Sequence, residues 1–180
     1  MAEFLFDPRP VHATLTSGPR HAMRQLSKRT QYSLRALYNL ARNFGTNRPV
    51  LIQTMAEEEV IPKKFLEQIL LSLKQTGLVT SKKGKGGGYL LAQPPDQVTL
   101  ASVIRMIEGP IAPLPCASET RFRKCEECVD VETCGTRMVM REVRDAMVAV
   151  LDRTTLASVC RRVEQARQKQ AGPGKIAYDI

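Results

Sequence analysis

The sequence predicts a mainly α-helical protein that carries one small β-hairpin. Apolar residues recur at helical spacing in several separate stretches, beginning with one at residues 27–44. Two short apolar runs flank a glycine-rich basic segment at residues 82–88, which is the pattern of a hairpin. A long helical pattern returns after a cysteine-rich stretch at residues 116–134. We therefore predict a winged helix-turn-helix domain with a small β-hairpin wing, a cysteine loop and a long C-terminal dimerisation helix.

The distribution of charge indicates a polyanionic ligand. The chain of 180 residues has a formal net charge of +9. Residues 23–89 hold twelve Lys and Arg against four Glu, so nearly all the excess lies in one segment. Such a segment is typical of a surface that binds nucleic acid phosphates, although a solubilising surface would have the same composition. No run of 18 apolar residues exists, so the sequence predicts no membrane-spanning helix.

We divide the chain into five segments. Residues 1–22 lack the apolar stretch of a signal peptide, so we expect a flexible N-terminal tail and a cytoplasmic protein. The other segments are the winged helix-turn-helix domain at 23–109, the cysteine-rich loop at 110–135, dimerisation helices at 136–167 and a flexible tail at 168–180.

Three helices are predicted before the hairpin. The first covers residues 27–44 and stops at Gly45, and a short one follows near residues 53–60. Pro62 suits the first turn of the third helix, where its missing N–H does no harm. That helix shares one apolar face made of Leu66, Ile69, Leu70 and Leu73. Two helices joined by a tight turn at residues 60–62 form the helix-turn-helix pattern.

The hairpin and a fourth helix come next. Residues 78–81 and 89–92 form the two strands. Thr99 is a suitable N-cap for a helix at residues 100–108, which Gly109 ends. Three prolines then predict an extended entry into the cysteine loop.

The third helix and the hairpin tip supply candidate contacts to DNA. The second helix of such a motif enters the major groove, where Glu67 can accept from cytosine and Gln68 can pair with adenine. Lysines that repel one another at a glycine-rich tip are best explained by an anionic partner, although a mobile basic turn is the alternative. The candidates are Lys63, Lys64, Glu67, Gln68, Lys82, Lys83, Lys85, Gly86 and Gly87.

An apolar stripe on the long C-terminal helix requires a partner surface. Its members are Val139, Val143, Ala146 and Val150, widened by Met140, Met147 and Leu151. Thr154 or Thr155 can cap a last helix. Cys160 falls on that helix's apolar face, and we predict a core position for it.

Four of the five cysteines are clustered: Cys116, Cys125, Cys128 and Cys134. In a chain without a secretion signal, such clusters indicate a metal or redox site instead of disulfides. Four thiolates can hold a [2Fe–2S] or [4Fe–4S] iron–sulfur cluster, or zinc, and the spacing alone does not choose among them. Free thiols are a further alternative. A thiol oxidoreductase built on the Cys-x-x-Cys pair is weak, because no βαβ pattern surrounds it.

Several motifs resemble one family of winged-helix transcription regulators, which includes IscR, NsrR, RirA and CymR. The resemblance covers residues 23–163 and rests on the segments at residues 26–32, 65–68, 73–79, 83–89 and 151–157. It implies a homodimer that binds a roughly palindromic double-stranded DNA operator, with the wing over the minor groove. It adds Lys28 and Arg29 to the expected DNA contacts and Val139, Val143, Met147 and Val150 to the dimer contacts. Lys83 and Lys85 depart from the family's frequent Arg and Pro, so operator preference does not carry over.

The resemblance also bears on the cysteines. Members that bind a cluster use three cysteines before the dimer helix and a fourth ligand of varied type. Cys134 and Arg137 match the family's third cysteine and the arginine after it, and Cys116 matches the first. Cys125 and Cys128 compete for the middle place. The resemblance therefore favours iron–sulfur over zinc. Because the loop joins the DNA-binding half to the dimer helix, we expect cluster occupancy to order the loop and to bias the spacing of the two wings.

Overall fold

A computed structural model describes residues 26–84 and 86–171. The predicted N-terminal tail at 1–22, Lys85 and residues 172–180 of the predicted C-terminal tail lie outside the described residues. The elements, in chain order, are α1 (Lys28–Arg42), α2 (Ile52–Glu58), α3 (Lys63–Gln75), β1 (Val79–Lys82), β2 (Gly88–Leu91), α4 (Leu100–Glu108), a short 3₁₀ turn (Pro115–Ala117), α5 (Gly135–Arg153) and α6 (Leu156–Ala171). This order confirms the predicted mainly helical fold with a small hairpin.

The first three helices enclose the main core. Ser27 caps α1, because its hydroxyl oxygen accepts a hydrogen bond from the Thr30 backbone N–H at 3.2 Å. The apolar faces of α1 and α3 meet through fully buried leucines, among them Leu37, Leu66 and Leu70. Burial of such side chains supplies about 1.5–3 kcal/mol each, so this packing is what holds the helix-turn-helix together.

The turn between α2 and α3 is tied to α1 by polar contacts. Val60 adopts a positive φ of 49°, which is a strained conformation for a β-branched residue. The Ile61 N–H bonds to the Ala56 carbonyl at 2.9 Å, and the Arg35 guanidinium donates to the Glu59 carbonyl. Pro62 is the N-cap of α3, one position earlier than the first turn predicted for it. These contacts fix the direction in which α3 leaves the turn.

The wing is a two-stranded antiparallel hairpin with Val79 opposite Leu91 and Lys82 opposite Gly88. A Cβ at Gly87 would collide with the Lys82 carbonyl, and one at Gly88 would collide with the Val50 carbonyl. Gly88 therefore allows the close approach at which Val50 and Tyr89 exchange backbone hydrogen bonds of 2.9 and 2.8 Å. The base of the wing is thus fixed to the body of the domain.

The fourth helix has the predicted ends. The Thr99 hydroxyl oxygen accepts from the Ser102 N–H at 3.1 Å, and Gly109 ends α4 with a φ of 90°. The junction between α5 and α6 docks on the start of α4, because the Leu100 N–H bonds to the Thr154 carbonyl at 2.8 Å.

The last helix packs back on α1. Leu156 is fully buried in the main core. Cys160, for which a core position was predicted, is half-buried and packs against the edge of that core, with its thiol 3.8 Å from the Tyr38 carbonyl. Helix α6 continues to Ala171, into the stretch predicted as a tail. Within residues 26–84 and 86–171, no helix is both long enough and apolar enough to cross a membrane.

Candidate DNA-binding surface and thiol loop

Helix α3 presents a polar face to solvent. Its buried residues are Leu66, Ile69, Leu70 and Leu73. The four candidate contacts of the predicted recognition helix are all exposed, and they are Lys63, Lys64, Glu67 and Gln68. The helix is therefore anchored by one face and leaves the opposite face free for a ligand.

Helix α1 and the wing are linked directly to α3. Arg29 and Lys28 are exposed in the first turn of α1, and the Arg29 guanidinium donates to the Ser72 hydroxyl at 2.9 Å. The Lys74 ammonium donates to the Ser81 hydroxyl at 2.8 Å, which joins α3 to β1. The sequence analysis did not find these two links, because a lysine or arginine paired with a serine has no sequence signature.

The tip of the wing is basic and open. Lys82, Lys83 and Gly86 are exposed, whereas Gly87 is buried inside the turn. The Gly87 N–H bonds to the Gly84 carbonyl at 2.9 Å. Gly87 therefore allows the wing backbone to pass close to the Lys82 and Gly84 carbonyls. The exposed lysines form the surface that a ligand can reach.

The thiol loop places its four cysteines in different environments. Cys116 is 4% exposed and lies in the 3₁₀ turn, which the sequence analysis did not predict. Cys125 is exposed, and Cys128 and Cys134 are half-buried. Burial raises the pKa of the Cys116 thiol, and a hydrogen bond with the Cys125 thiol and the charges of Cys125 and Cys134 raise it further. The raised pKa favours the protonated form of the Cys116 thiol.

The described part of the chain holds no group of three or more Cys, His, Asp or Glu side chains that could hold a metal ion. The backbone nevertheless provides favourable charge around the thiols. Cys134 is the N-cap of α5, so the positive end of a 19-residue helix begins at this thiol. The loop's basic side chains, Arg121, Arg123 and Lys124, are exposed, as are the acidic residues Glu126, Glu127, Asp130 and Glu132.

Asp130 has a local structural role. Its carboxylate accepts hydrogen bonds from the Glu132 N–H at 3.1 Å and from the Thr133 hydroxyl at 2.5 Å. The Thr133 hydroxyl is the main reason that the pKa of Asp130 lies below its usual value. This turn directs the chain from Cys128 toward Cys134.

Two arginines of α5 bind the backbone of the Cys116 turn. The Arg137 Nε donates to the Cys116 carbonyl at 3.1 Å, and the Arg144 Nη1 donates to the Ala117 carbonyl at 2.7 Å. Arg144 is only 5% exposed. Arg144 was not among the predicted site residues. The signal that could have found it is its spacing, because it follows Arg137 by seven residues, or about two helical turns, and lies between Met140 and Met147 of the apolar stripe.

The apolar stripe of α5 lies open in the single chain. Val139, Met147 and Val150 are 53%, 41% and 47% exposed, and Val143 is half-buried. Arg144 is the one buried residue of this helix. Exposed apolar surface of this extent on a 19-residue helix is typical of a protein–protein contact.

Comparison with known proteins identifies the family. A family model described as Rrf2, iron-dependent transcriptional regulator, matches residues 26–162. An rrf2-like protein of Rhodobacter capsulatus is 38% identical over 133 residues, which are 73% of this chain and 89% of that protein.

Two solved structures have the same fold. The structure of CymR, the global cysteine regulator of Bacillus subtilis, has a TM-score of 0.65 at 31% identity, covering 78% of this chain and 98% of that one. The structure of IscR from T. potens has a TM-score of 0.62 at 29% identity, covering 86% and 97%. These relatives are regulators and not enzymes, which excludes the thiol oxidoreductase alternative. The chain belongs to the Rrf2 family of DNA-binding transcription regulators.

Proposed function

We propose that this protein is a homodimeric transcription regulator whose binding to a double-stranded DNA operator is modulated by an iron–sulfur cluster. The cluster would be held by Cys116, Cys125, Cys128 and Cys134. The observation that carries the proposal is the position of the thiol loop. It lies between α4 of the DNA-binding domain and α5, and its Cys116 turn is bonded to α5. Binding to operator DNA would require a cytoplasmic location.

The DNA-binding surface is proposed to consist of α3, the start of α1 and the wing. Exposed side chains of α3 would read base edges in the major groove, with Glu67 and Gln68 as the base-contacting pair. Lys63, Lys64, Lys28 and Arg29 would contact phosphates beside it. Lys82, Lys83, Lys85 and the exposed Gly86 backbone would follow the minor groove, while the buried Gly87 would shape the tip.

The dimer is proposed to form through α5. The exposed stripe of Val139, Val143, Met147 and Val150 would pack against the same stripe of a second copy. The arrangement would hold two α3 helices at a fixed separation, as a palindromic operator requires. Sedimentation of the Val150→Glu variant tests this: we expect monomers, because a buried unpaired carboxylate opposes association. A Val150→Glu protein that remains dimeric would contradict the proposed interface.

The thiol loop suits an anionic metal centre by its chemistry. Four cysteine sulfurs are the usual ligands of both [2Fe–2S] and [4Fe–4S] clusters. The positive end of α5 begins at Cys134, and the exposed Arg121, Arg123 and Lys124 of the same loop would help to offset negative charge. A stretch of irregular chain between the 3₁₀ turn and α5 can bring Cys125 and Cys128 toward Cys116.

The mechanism follows from the order of these elements. A bound cluster would supply a centre that responds to iron supply, oxygen or nitric oxide. Cys116 would then be held both by the metal through its thiol and by Arg137 through its carbonyl. A fixed Cys116 turn would favour one position of α5 and therefore one spacing of the two wings, which is a shift between two populated dimer forms. The free energy for this shift would come from the difference between the affinities of the two dimer forms for the cluster.

Anaerobic purification tests the proposal. We expect a brown protein that contains iron and acid-labile sulfide and absorbs visible light, with the absorbance lost in air. Alanine at all four loop cysteines removes these signals. A colourless dimer that contains one zinc per chain would contradict the iron–sulfur proposal.

The alternative is control without a redox cluster. The same four thiols suit a structural zinc site. Similarity to CymR, the global cysteine regulator of Bacillus subtilis, favours control linked to cysteine. Control through a partner protein is the remaining form of this alternative. Metal counts distinguish zinc from iron, and a metal-free protein that binds DNA tightly would favour control by a partner.

A further inference from the structure

We propose that Arg144, together with Arg137, is a positioning pair that couples the Cys116 turn to α5. This inference rests on the proposed function, because it names the residues through which the thiol site would act on the dimer helix.

Arg144 is surrounded by acceptors that belong to the loop and to its own helix. Its Nη1 donates to the Ala117 carbonyl at 2.7 Å, and its Nη2 lies 3.3 Å from the Glu119 carboxylate. Nη2 also lies 2.6 Å from the carboxylate of Asp145. The guanidinium is therefore nearly buried and fully engaged, and two of its partners come from the segment that follows Cys116.

Arg137 binds the same turn from a position seven residues earlier in α5. Its Nε donates to the Cys116 carbonyl at 3.1 Å, and its guanidinium lies over the Phe122 ring at 5.6 Å from the centroid. Seven residues are about two helical turns, so Arg137 and Arg144 share one face of α5. Successive carbonyls at Cys116 and Ala117 are thus held by one helix face.

Two residues of the apolar stripe lie on the opposite side of α5. Val139 and Val150 are about 200° and 220° around the helix from Arg137, whereas Met147, three residues after Arg144, lies beside the arginine face. Helix α5 therefore stands between the thiol loop and the proposed partner subunit. A rotation or shift that α5 makes to follow the loop would be transmitted to the dimer contact.

Burial is what makes the coupling strong. A buried guanidinium that loses its acceptors is unfavourable, because its charge is then neither hydrated nor paired. If the Cys116 turn moves, Arg144 must either follow the Ala117 carbonyl or leave its buried position. The first response displaces α5, and the second exposes an arginine that the loop had buried, so either response links the state of the loop to that of the helix.

The test compares Arg144→Gln and Arg144→Lys with a matched control, Arg141→Gln, which alters an exposed arginine of the same helix. The probe is a DNA duplex selected by the wild-type protein from a random pool. Each protein is titrated with this duplex twice, once as purified anaerobically and once after removal of its metal centre. Iron and sulfide content and thermal unfolding are measured on the same preparations.

The decisive quantity is the ratio of the two dissociation constants. We expect the wild type and Arg141→Gln to show a ratio on the order of tenfold, in either direction. Arg144→Gln should bring the ratio close to one while the protein still acquires its metal. Arg144→Lys should reduce it in part, because an ammonium cannot reproduce the planar fork of hydrogen bonds. If Arg144→Gln does not fold, the ratio measured for Arg144→Lys decides the test.

A residue with a purely structural role would weaken both forms equally and leave the ratio unchanged. An unchanged ratio in metal-loaded Arg144→Gln or Arg144→Lys would therefore overturn the role of Arg144 in coupling and leave the proposed function standing. A ratio of one in the wild type would overturn the proposed function, and the coupling with it.

Discussion

The two halves of this molecule are held together by different forces. In the reading half, residues 26–109, an apolar core continues from α1 through α3 and the wing to α4. In the thiol half, residues 110–153, the buried apolar cluster is small, and in it Ile111 packs with Ala101 and Ile104 of α4. Cys116 and Ala117 are buried as well. Its loop is bound mainly through hydrogen bonds from Arg137 and Arg144 to backbone carbonyls.

This difference fits the proposed roles, which are DNA binding by the reading half and sensing by the thiol half. Close-packed apolar cores resist small displacements, so the reading half can hold α3 and the wing in one fixed relation. Segments with few buried apolar contacts open at lower free energy, so the thiol half can become more or less ordered without unfolding of the reading half. Each variant below either changes one half or removes a contact between the two halves.

The largest expected effect is Cys116→Ser. Serine has nearly the same size but is a poor ligand for iron, so we expect loss of the visible absorbance and of bound iron with the DNA-binding domain still folded. Iron content and the far-ultraviolet circular dichroism spectrum check this. Cys160→Ser is the matched control, because that thiol packs against the main core outside the loop. Equal iron loss in both variants would contradict the assignment of the loop as the site.

Truncation of a core residue should separate the two halves. Leu70→Ala removes a fully buried side chain of α3 and should lower the free energy of unfolding by about 2–5 kcal/mol. Ile111 belongs to the small cluster, so the Ile111→Ala variant should lose free energy of unfolding only at the lower end of that range. Urea unfolding measures both. A larger loss for Ile111→Ala than for Leu70→Ala would contradict the contrast between the halves.

Loss of wing charge should weaken DNA binding without affecting the metal. Replacing Lys82 and Lys83 with alanine removes two exposed cations at the wing tip. We expect the slope of log affinity against log salt to fall by about one unit per lost phosphate contact. Lys169→Ala, at an exposed position in the last turn of α6, is the control. An unaltered salt slope in the wing variant would remove the wing from the interface.

The smallest expected effect concerns the ion pair that joins the halves. Arg105 of α4 binds Asp152 of α5 through two hydrogen bonds of 2.7 and 3.2 Å. Both side chains are more than 40% exposed, so Asp152→Asn should cost less than about 1 kcal/mol at neutral pH. The Arg105 hydrogen bond lowers the pKa of Asp152, so the pair stabilises the fold above the carboxyl's unfolded pKa of about 4.

This stabilisation disappears as the pH falls through the lowered pKa of Asp152. The stability difference between wild type and Asp152→Asn should therefore vanish in strong acid, as thermal unfolding over a pH series would reveal. A difference that persists well below pH 3 would show that Asp152 acts by another route.

The sequence was sufficient for features that depend on neighbouring residues. The cap at Thr99, the stop at Gly109 and the apolar face of α3 were predicted because each is a local pattern. The bonds from Arg144 to Ala117 and from Arg137 to Cys116 were not, because they join residues 27 and 21 positions apart and use backbone carbonyls. Any residue has such a carbonyl, so no sequence pattern marks it.

The glycines of the wing illustrate the same limit. A glycine-rich tip predicted a close approach to DNA, whereas Gly87 and Gly88 are required by carbonyls of the protein itself. A sequence shows that a Cβ is absent but not which atom occupies the space.

Control of DNA binding by the thiol loop is tested most directly by two affinities of one wild-type preparation for its selected DNA duplex, measured before and after removal of the metal centre. The Cys116→Ser variant is measured in the same way. We expect two affinities that differ by on the order of tenfold for the wild type and a single affinity for Cys116→Ser. Equal affinities for the two wild-type forms would contradict the claim that the thiol loop controls DNA binding.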